Sequence, residues 1–498
     1  MHKFLRILLW GISGFIALVI PFYAEEDWRG ARAWAACQRD LAAKGESLDL
    51  RQLVPSGKPE DDLSQSPIFA ELYKNESQYV HPHQLKVYVF DLWKHERPPA
   101  RVNQITAYLN ADPYAKKPEF PHYVGGNHLD LAAWQKFYRS LPQSPLTQTN
   151  STPAQDVLQA LGQFDSDLTK IDTAVSNQAA YWPIDYEKPF ISNLDGNSCL
   201  DGPTDVVVLK GVAHLDNHEV DRAERDYLFS FRLSQPLLKG CFLINYGMIS
   251  YIRSSADLIL WEGLHRHAWD DAQLHEMESA LAASDMLALA KQTLRIERAC
   301  TIASIDFIKN GGGDQLRAAG GVAEFDKYGY YDAVRQLNYR PSGEWDQDKT
   351  FYAKSMQERI EAIHLDRGTM DPGVFNYEKD SAMWYGRQRL TLYMSTMQLR
   401  VIDGFGQTIA VTETYRRLAR LSCRLEEYRL EHGQYPDQLD ALPDLPAHLN
   451  QEVLSEQPFR YQHKGDGYLL YSVGWKQKDN GGIYSAKDRE SDWPWPSP

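Results

Sequence analysis

Histidines recur in this chain at spacings that invite a metal reading. His81 and His83 flank Pro82, His265 and His267 repeat that spacing, and His214, Asp216 and His218 form the run HLDNH. A protein metal site needs three or four converging donors held by a supporting shell. Residues two apart on a helix point in different directions, so His265 and His267 do not share an ion. His214 and His218 straddle Asp216-Asn217, which is turn chemistry. All are read as surface or turn histidines, and no metal or other cofactor is expected. The acids best placed for proton transfer are Glu262, Asp270 and Asp271, beside Trp261 and Trp269, because an aromatic wall raises a carboxyl pKa and lines glycan sites. The stretch DDAQL also fits a helix N-cap with a first-turn acid, and that reading is preferred. No His-Glu-x-x-His, Gly-x-Ser-x-Gly or phosphate-loop motif occurs, and NGGGDQL reads as a hinge. No catalytic residue is assigned.

Composition narrows the classes. With 498 residues the chain exceeds a single core of about 250 residues. Its 13 Trp and 28 Tyr argue against long disorder. Fifty-three basic against 67 acidic residues leave a net charge of -14, which repels phosphate backbones, so nucleic acid is not an expected partner. The five cysteines are scattered, and one bridge, Cys199 to Cys241, is the pairing considered.

The elements that would position these residues begin with an anchor. Lys3 and Arg6 precede an uncharged run over residues 7–24, and Glu25, Glu26 and Asp27 follow it. About 18 to 20 residues rising about 1.5 Å each cross a bilayer. The charge asymmetry predicts a single-pass, uncleaved anchor in the cell inner membrane, with the bulk of the chain in the periplasm. Residues 25–64 read as a membrane-proximal helix, periodic through Trp28, Ala31, Trp34, Ala35 and Leu41, and a Pro-rich linker. Residues 65–407 read as a mainly helical body, with a strand-like LKVYVFDLW. Thr152 is the predicted N-cap of a helix with Pro153 at its first position. An αα-hairpin similar to one tetratricopeptide unit is predicted over TDVVVLKGVAHLDNHEVDRAERDYLFSFRLS. SALAASDMLALAKQTLRIERACTIASIDFI reads as nearly continuous helix.

Residues 408–485 read as an α+β module. Leu418, Leu421, Leu425, Tyr428 and Leu430 stripe a helix that stops at Gly433, and Pro436 restarts a short second helix through Leu442. FRYQH and GYLLYSVG form a hairpin in which Tyr468, Leu470 and Ser472 share a face. This module is expected to fold alone, followed by a flexible tail over residues 486–498. Its order resembles the soluble end of the major pseudopilin of type II secretion, through Tyr428, Gly433, Tyr435, Pro436, Leu439, Leu442, Arg460, Tyr461, Tyr468, Leu470, Tyr471, Ser472, Gly474, Asp479 and Gly481. The pilin leader and its following Glu have no counterpart, so the resemblance implies a fold and not filament assembly. It also raises the question of a calcium ion on Asp479, Asn480, Asp488 and Asp492, which interleaved basic residues argue against.

Over nearly the whole chain, the blocks DWRGARAWAACQRDLAAKGESLDL, LAAWQKFYRSL, LILWEGLHRHAWDDAQLHEMESALAASDMLALAKQTLRIERA and LEEYRLEHGQYPDQLDAL are similar to a family of membrane-anchored proteins of Planctomycetes and Verrucomicrobia-type bacteria that has no established activity. The fold expected is mainly α with a small C-terminal α+β module. The function expected is a membrane-anchored envelope scaffold or protein-interaction module with protein partners in the envelope, the alternative being an envelope hydrolase acting on glycan through Glu262, Asp270 or Asp271.

Overall fold

The computed structural model describes residues 2–54, 56–70, 118, 123–141, 146, 150–184, 186, 199–312, 340–376, 393–485 and 491–496. The strand-like LKVYVFDLW, His81, His83, most of the glycine tract and Asp488 lie outside these residues.

Helix α1 spans His2–Ala43 without a break, with Pro21 inside it. The apolar run and the membrane-proximal helix, expected as separate pieces, are therefore one element. Its first half is long and apolar enough to cross a membrane and is uncovered by protein, with Phe15, Leu18 and Ile20 all exposed. Its second half buries Cys37 and Leu41 in the core. One-turn helix α2 (Leu50–Leu53) is followed by α3 (Leu131–Ser140), α4 (Pro153–Leu161) and α5 (Asp165–Val175). Thr152 caps α4 through a capping box with Gln155, and Pro153 takes the first helical position as expected.

Helices α6 (Asp201–Asp216) and α7 (Val220–Ser234) form the predicted helical pair, followed by α8 (Leu243–His265), α9 (Asp271–Ala282) and α10 (Met286–Phe307). The continuous helix expected across α9 and α10 is interrupted, because the Asp285 carboxylate accepts the Ala288 N–H at 2.9 Å and caps a new start. Helix α11 (Ser342–Glu361) precedes a two-residue ribbon, β1 (Ile363–His364) with β2 (Thr369–Met370).

Helix α12 (Tyr393–His432) is longer than the predicted segment from Thr408 and continues through the boundary drawn at 407/408. Leu418, Leu421 and Leu425 are fully buried as read, whereas Leu430 is exposed, since five residues from Leu425 carry it off that face. Gly433, at φ +78, ends the helix as expected. The second helix of this module shrinks to a single 3-10 turn, Leu439–Ala441. Strands β3 (Arg460–Lys464) and β4 (Gly467–Ser472) pair antiparallel, with Tyr468, Leu470 and Ser472 buried on one face. The tail expected to be flexible adds β5 (Trp493–Trp495), which pairs with β4 and buries Trp495 completely. Two indoles in three residues supply enough apolar area to fix a short edge strand.

One continuous hydrophobic cluster links Cys37 of α1, the α6–α8 helices, α12 and the sheet through Trp495. All five cysteines are buried and unbridged, so Cys199 and Cys241 do not pair.

Candidate functional site

Of the residues singled out for chemistry, Glu262, His265, His267, Asp270 and Asp271 lie at or just beyond the C-terminal end of α8. That end closes in a Schellman motif: Ala268 N–H donates to Gly263 O at 2.9 Å and His267 N–H to Leu264 O at 2.9 Å. The left-handed position usually given to glycine is filled by His267, at φ +48. The chain then folds Trp269 back over the helix. Its Nε1 donates to Leu260 O at 3.0 Å, and a Cβ added at Gly263 would fall 2.1 Å from the indole. Gly263 is thus required by close approach rather than by backbone angle.

Glu262 has no exposed surface. Its Oε2 accepts from His128 Nδ1 at 2.9 Å, its Oε1 accepts the Leu129 N–H at 2.9 Å, and Arg266 also donates to the carboxylate. A buried carboxyl group engaged by three donors is committed to holding the fold, with no oxygen left for a substrate. Asp270 is the N-cap of α9, accepting the Gln273 N–H at 2.9 Å in a capping box, and Asp271 is an exposed first-turn acid. The preferred reading of DDAQL holds. Trp261 is buried and its Nε1 donates to Pro496 O at 3.2 Å, tying this site to β5.

Sequence reasoning missed His128, which lies 134 residues from Glu262 and carries no local signal. Its ring stacks on Trp261 at 4.7 Å and meets the ring of exposed His265 at 4.5 Å. Partial burial, and then the His128 charge, holds His265 below the usual histidine range. The Glu262–Arg266 pair was legible as an i,i+4 contact.

His267 turns away from this pair. Its Nδ1 lies 2.9 Å from Glu426 on α12, which also accepts from Arg429 at 2.7 Å and from Tyr435 OH at 2.6 Å. Burial opposes the charge on Glu426, but Arg429, Tyr435 and His267 together hold its pKa below the ordinary carboxylate range. The expectation that His265 and His267 point apart agrees with their partners. His214 departs from the turn reading. It sits in the last turn of α6, buried, with Nδ1 2.7 Å from Asp226 of α7. His218, exposed at φ +60, occupies the left-handed position of a second Schellman motif.

The C-terminal acids are used as staples. Asp492 accepts the N–H groups of Asn480 at 2.9 Å and Gly482 at 2.7 Å. Asp479 accepts the Gly481 N–H at 2.9 Å and Tyr471 OH at 3.0 Å, and the Gly481 N–H foremost lowers its pKa. Among the described residues, no three His, Cys, Asp or Glu side chains are grouped to hold a metal ion.

A second junction lies where the apolar run ends. Pro341 offers no side-chain cap to α11, and Asp27 of α1 supplies one, its Oδ1 accepting the Gly343 N–H at 2.8 Å. Glu26 accepts from Gln347 Nε2 at 2.8 Å and from Arg29 at 2.6 Å. The backbones nearly touch, since a Cβ built on Gly30 would stand 2.0 Å from Gly343 O. Farther along, Lys349 lies over Trp34 at 4.7 Å and Lys44 pairs with Glu361 at 2.7 Å, so α1 and α11 run parallel. Compared with models of protein families, with curated proteins and with solved structures, the chain matches none.

Proposed function

We propose that this protein is a bitopic envelope protein of the bacterial inner membrane whose helical body, held on the periplasmic side, is a scaffold for protein partners. The observation that carries this reading is the junction of α1 with α11. The acids directly after the apolar run, Glu26 and Asp27, bind the body itself, so the folded part begins where the span ends. Lys3 and Arg6 before the span favour the orientation. The helical pair α6–α7, read as similar to a tetratricopeptide unit, and the helix-plus-sheet order at the C-terminus, read as similar to a pseudopilin end, are compatible with a contact-making role. The hydrolase alternative is weakened because two of its three acids, Glu262 and Asp270, already serve the fold.

Protease added to intact spheroplasts should digest the body, and protection until the membrane is lysed would reverse the orientation. For the role itself, site-specific photo-crosslinkers on the exposed faces of α6 and α7 should trap a discrete envelope partner in living cells. Cells whose only crosslinks are to lipid, together with a glycan-cleaving activity abolished by Asp271→Asn, would replace the scaffold by the hydrolase.

A further inference from the structure

The imidazoles of His128 and His265 are left unused by the scaffold reading. His128 is held at one nitrogen and on one ring face. Glu262 holds its Nδ1, the same carboxylate grips the Leu129 backbone next door, and Trp261 lies flat against the ring. The remaining nitrogen, Nε2, carries the lone pair when Nδ1 donates to the carboxylate. The side chain is 45 % exposed, so the ring is open to solvent. His265, the last residue of α8, is exposed beside it.

We propose that His128 and His265 together bind a divalent transition metal of the zinc, copper or nickel class, with Glu262 orienting the first ligand. Metal-bound histidines almost always donate their other ring N–H to a carboxylate or carbonyl, and the Glu262–His128 pair has that arrangement in place. The ring separation also fits. With a metal–nitrogen bond of about 2.0–2.1 Å the ion lies about 3.2 Å from each ring centre, so two adjacent imidazole ligands have centres about 4.5 Å apart at a ligand angle of about 90°, as copper and nickel prefer, and about 5.2 Å apart at a tetrahedral angle. The observed separation is 4.5 Å. Two nitrogen donors select borderline ions over magnesium and calcium, which require oxygen. The carboxylate oxygens of Glu262 are engaged by His128, Leu129 and Arg266, so the other coordination positions fall to water or to a ligand brought by another molecule. Such a site is open and exchangeable rather than a closed structural centre.

The test uses the full chain in detergent, without a histidine tag, titrated with zinc and nickel against a chromophoric indicator. One equivalent should bind with micromolar affinity. His128→Ala and His265→Ala should each weaken binding at least tenfold, and Glu262→Gln about 10- to 100-fold. His275→Ala, an exposed histidine on α9, should leave it unchanged. X-ray absorption of the zinc form should give two imidazole nitrogens. Absence of binding at micromolar metal, or binding that survives His265→Ala, overturns the proposal. Because Glu262 is buried, circular dichroism must accompany that variant, and if it unfolds the exposed His265 decides the matter alone.

Discussion

Gly30→Ala tests the junction of α1 with α11 most directly. In an isolated helix this exchange is favourable by about 1 kcal/mol, since glycine is the poorer helix former. Here the new methyl would lie 2.0 Å from the Gly343 carbonyl oxygen and 2.4 Å from its Cα. Both are backbone atoms, which cannot rotate aside. Restoring an ordinary contact of about 3.5–4.0 Å requires the two helices to part by well over 1 Å. That separation also stretches the 2.8 Å hydrogen bond from Gly343 N–H to Asp27, a capping interaction of about 0.5–2 kcal/mol. Overpacking costs about 1–3 kcal/mol. The net result, after the propensity gain, is destabilisation by about 1–3 kcal/mol. Gly247→Ala on α8 supplies the control. It is the same exchange within a helix, but nothing lies within 4 Å of its added Cβ, so it should stabilise by about 0.5–1 kcal/mol. Denaturant unfolding of both variants in detergent measures the contrast. If Gly30→Ala is as stable as Gly247→Ala, the close crossing of α1 and α11 is wrong.

Other perturbations probe the rest of the fold. His218→Gly should stabilise by about 0.5–1 kcal/mol, because a left-handed residue other than glycine costs about 1–2 kcal/mol before glycine's own entropy is counted; His267→Gly should gain less, since it loses the Glu426 contact, and thermal melts compare the two. Trp495→Ala should cost about 3–5 kcal/mol and Leu425→Ala about 2–5 kcal/mol, read from denaturant midpoints. A fragment from Thr408 to the end should lack a cooperative transition, because Arg416 and Arg420 of α12 bind Leu281 O and Glu278 of α9, and calorimetry checks it. Burial opposes ionisation of Glu413, but Arg416 and Arg417 outweigh it and depress its pKa. Its contribution is therefore fully present above the unfolded glutamate value of about 4.3 and is lost as pH falls through the lower native value. Glu413→Gln should flatten the stability profile on the acid side of about pH 4.3, where the wild-type carboxylate loses its advantage.

Local signals were legible where one short segment contains the whole cause. Thr152 with Pro153, Asp270 with Gln273, and Gly433 with the strands after it announced caps and a hairpin because both partners lie within a few residues. The site around Glu262 was legible only in half. The block from Trp261 to Leu274 stood out, but its meaning depends on His128 and Pro496, which approach from far along the chain. The Schellman ends were hidden because histidine, not glycine, holds the left-handed position at residues 218 and 267. The strand in the tail was not legible because interleaved acids and bases read as solvated chain, whereas Trp493 and Trp495 find an apolar surface on β4 and α12. Periodicity reports which face of a segment is apolar. It does not report which distant segment will cover that face.

The unbroken passage of α1 from its apolar half into the core has a kinetic consequence. A domain on a floppy tether searches a hemisphere and must surrender that freedom when it docks. Here there is no tether to freeze, because residue 27 already holds α11 within the same helix that carries the apolar run. In the proposed membrane setting the body would turn only about the axis of its own helix and diffuse only in the plane. A partner anchored in the same bilayer would then meet it at a constant height and tilt, so encounter reduces to a lateral search with one angle to match. Lengthening α1 by two residues would turn the body about 200° relative to the span while lifting it about 3 Å, which changes the face on offer far more than the distance.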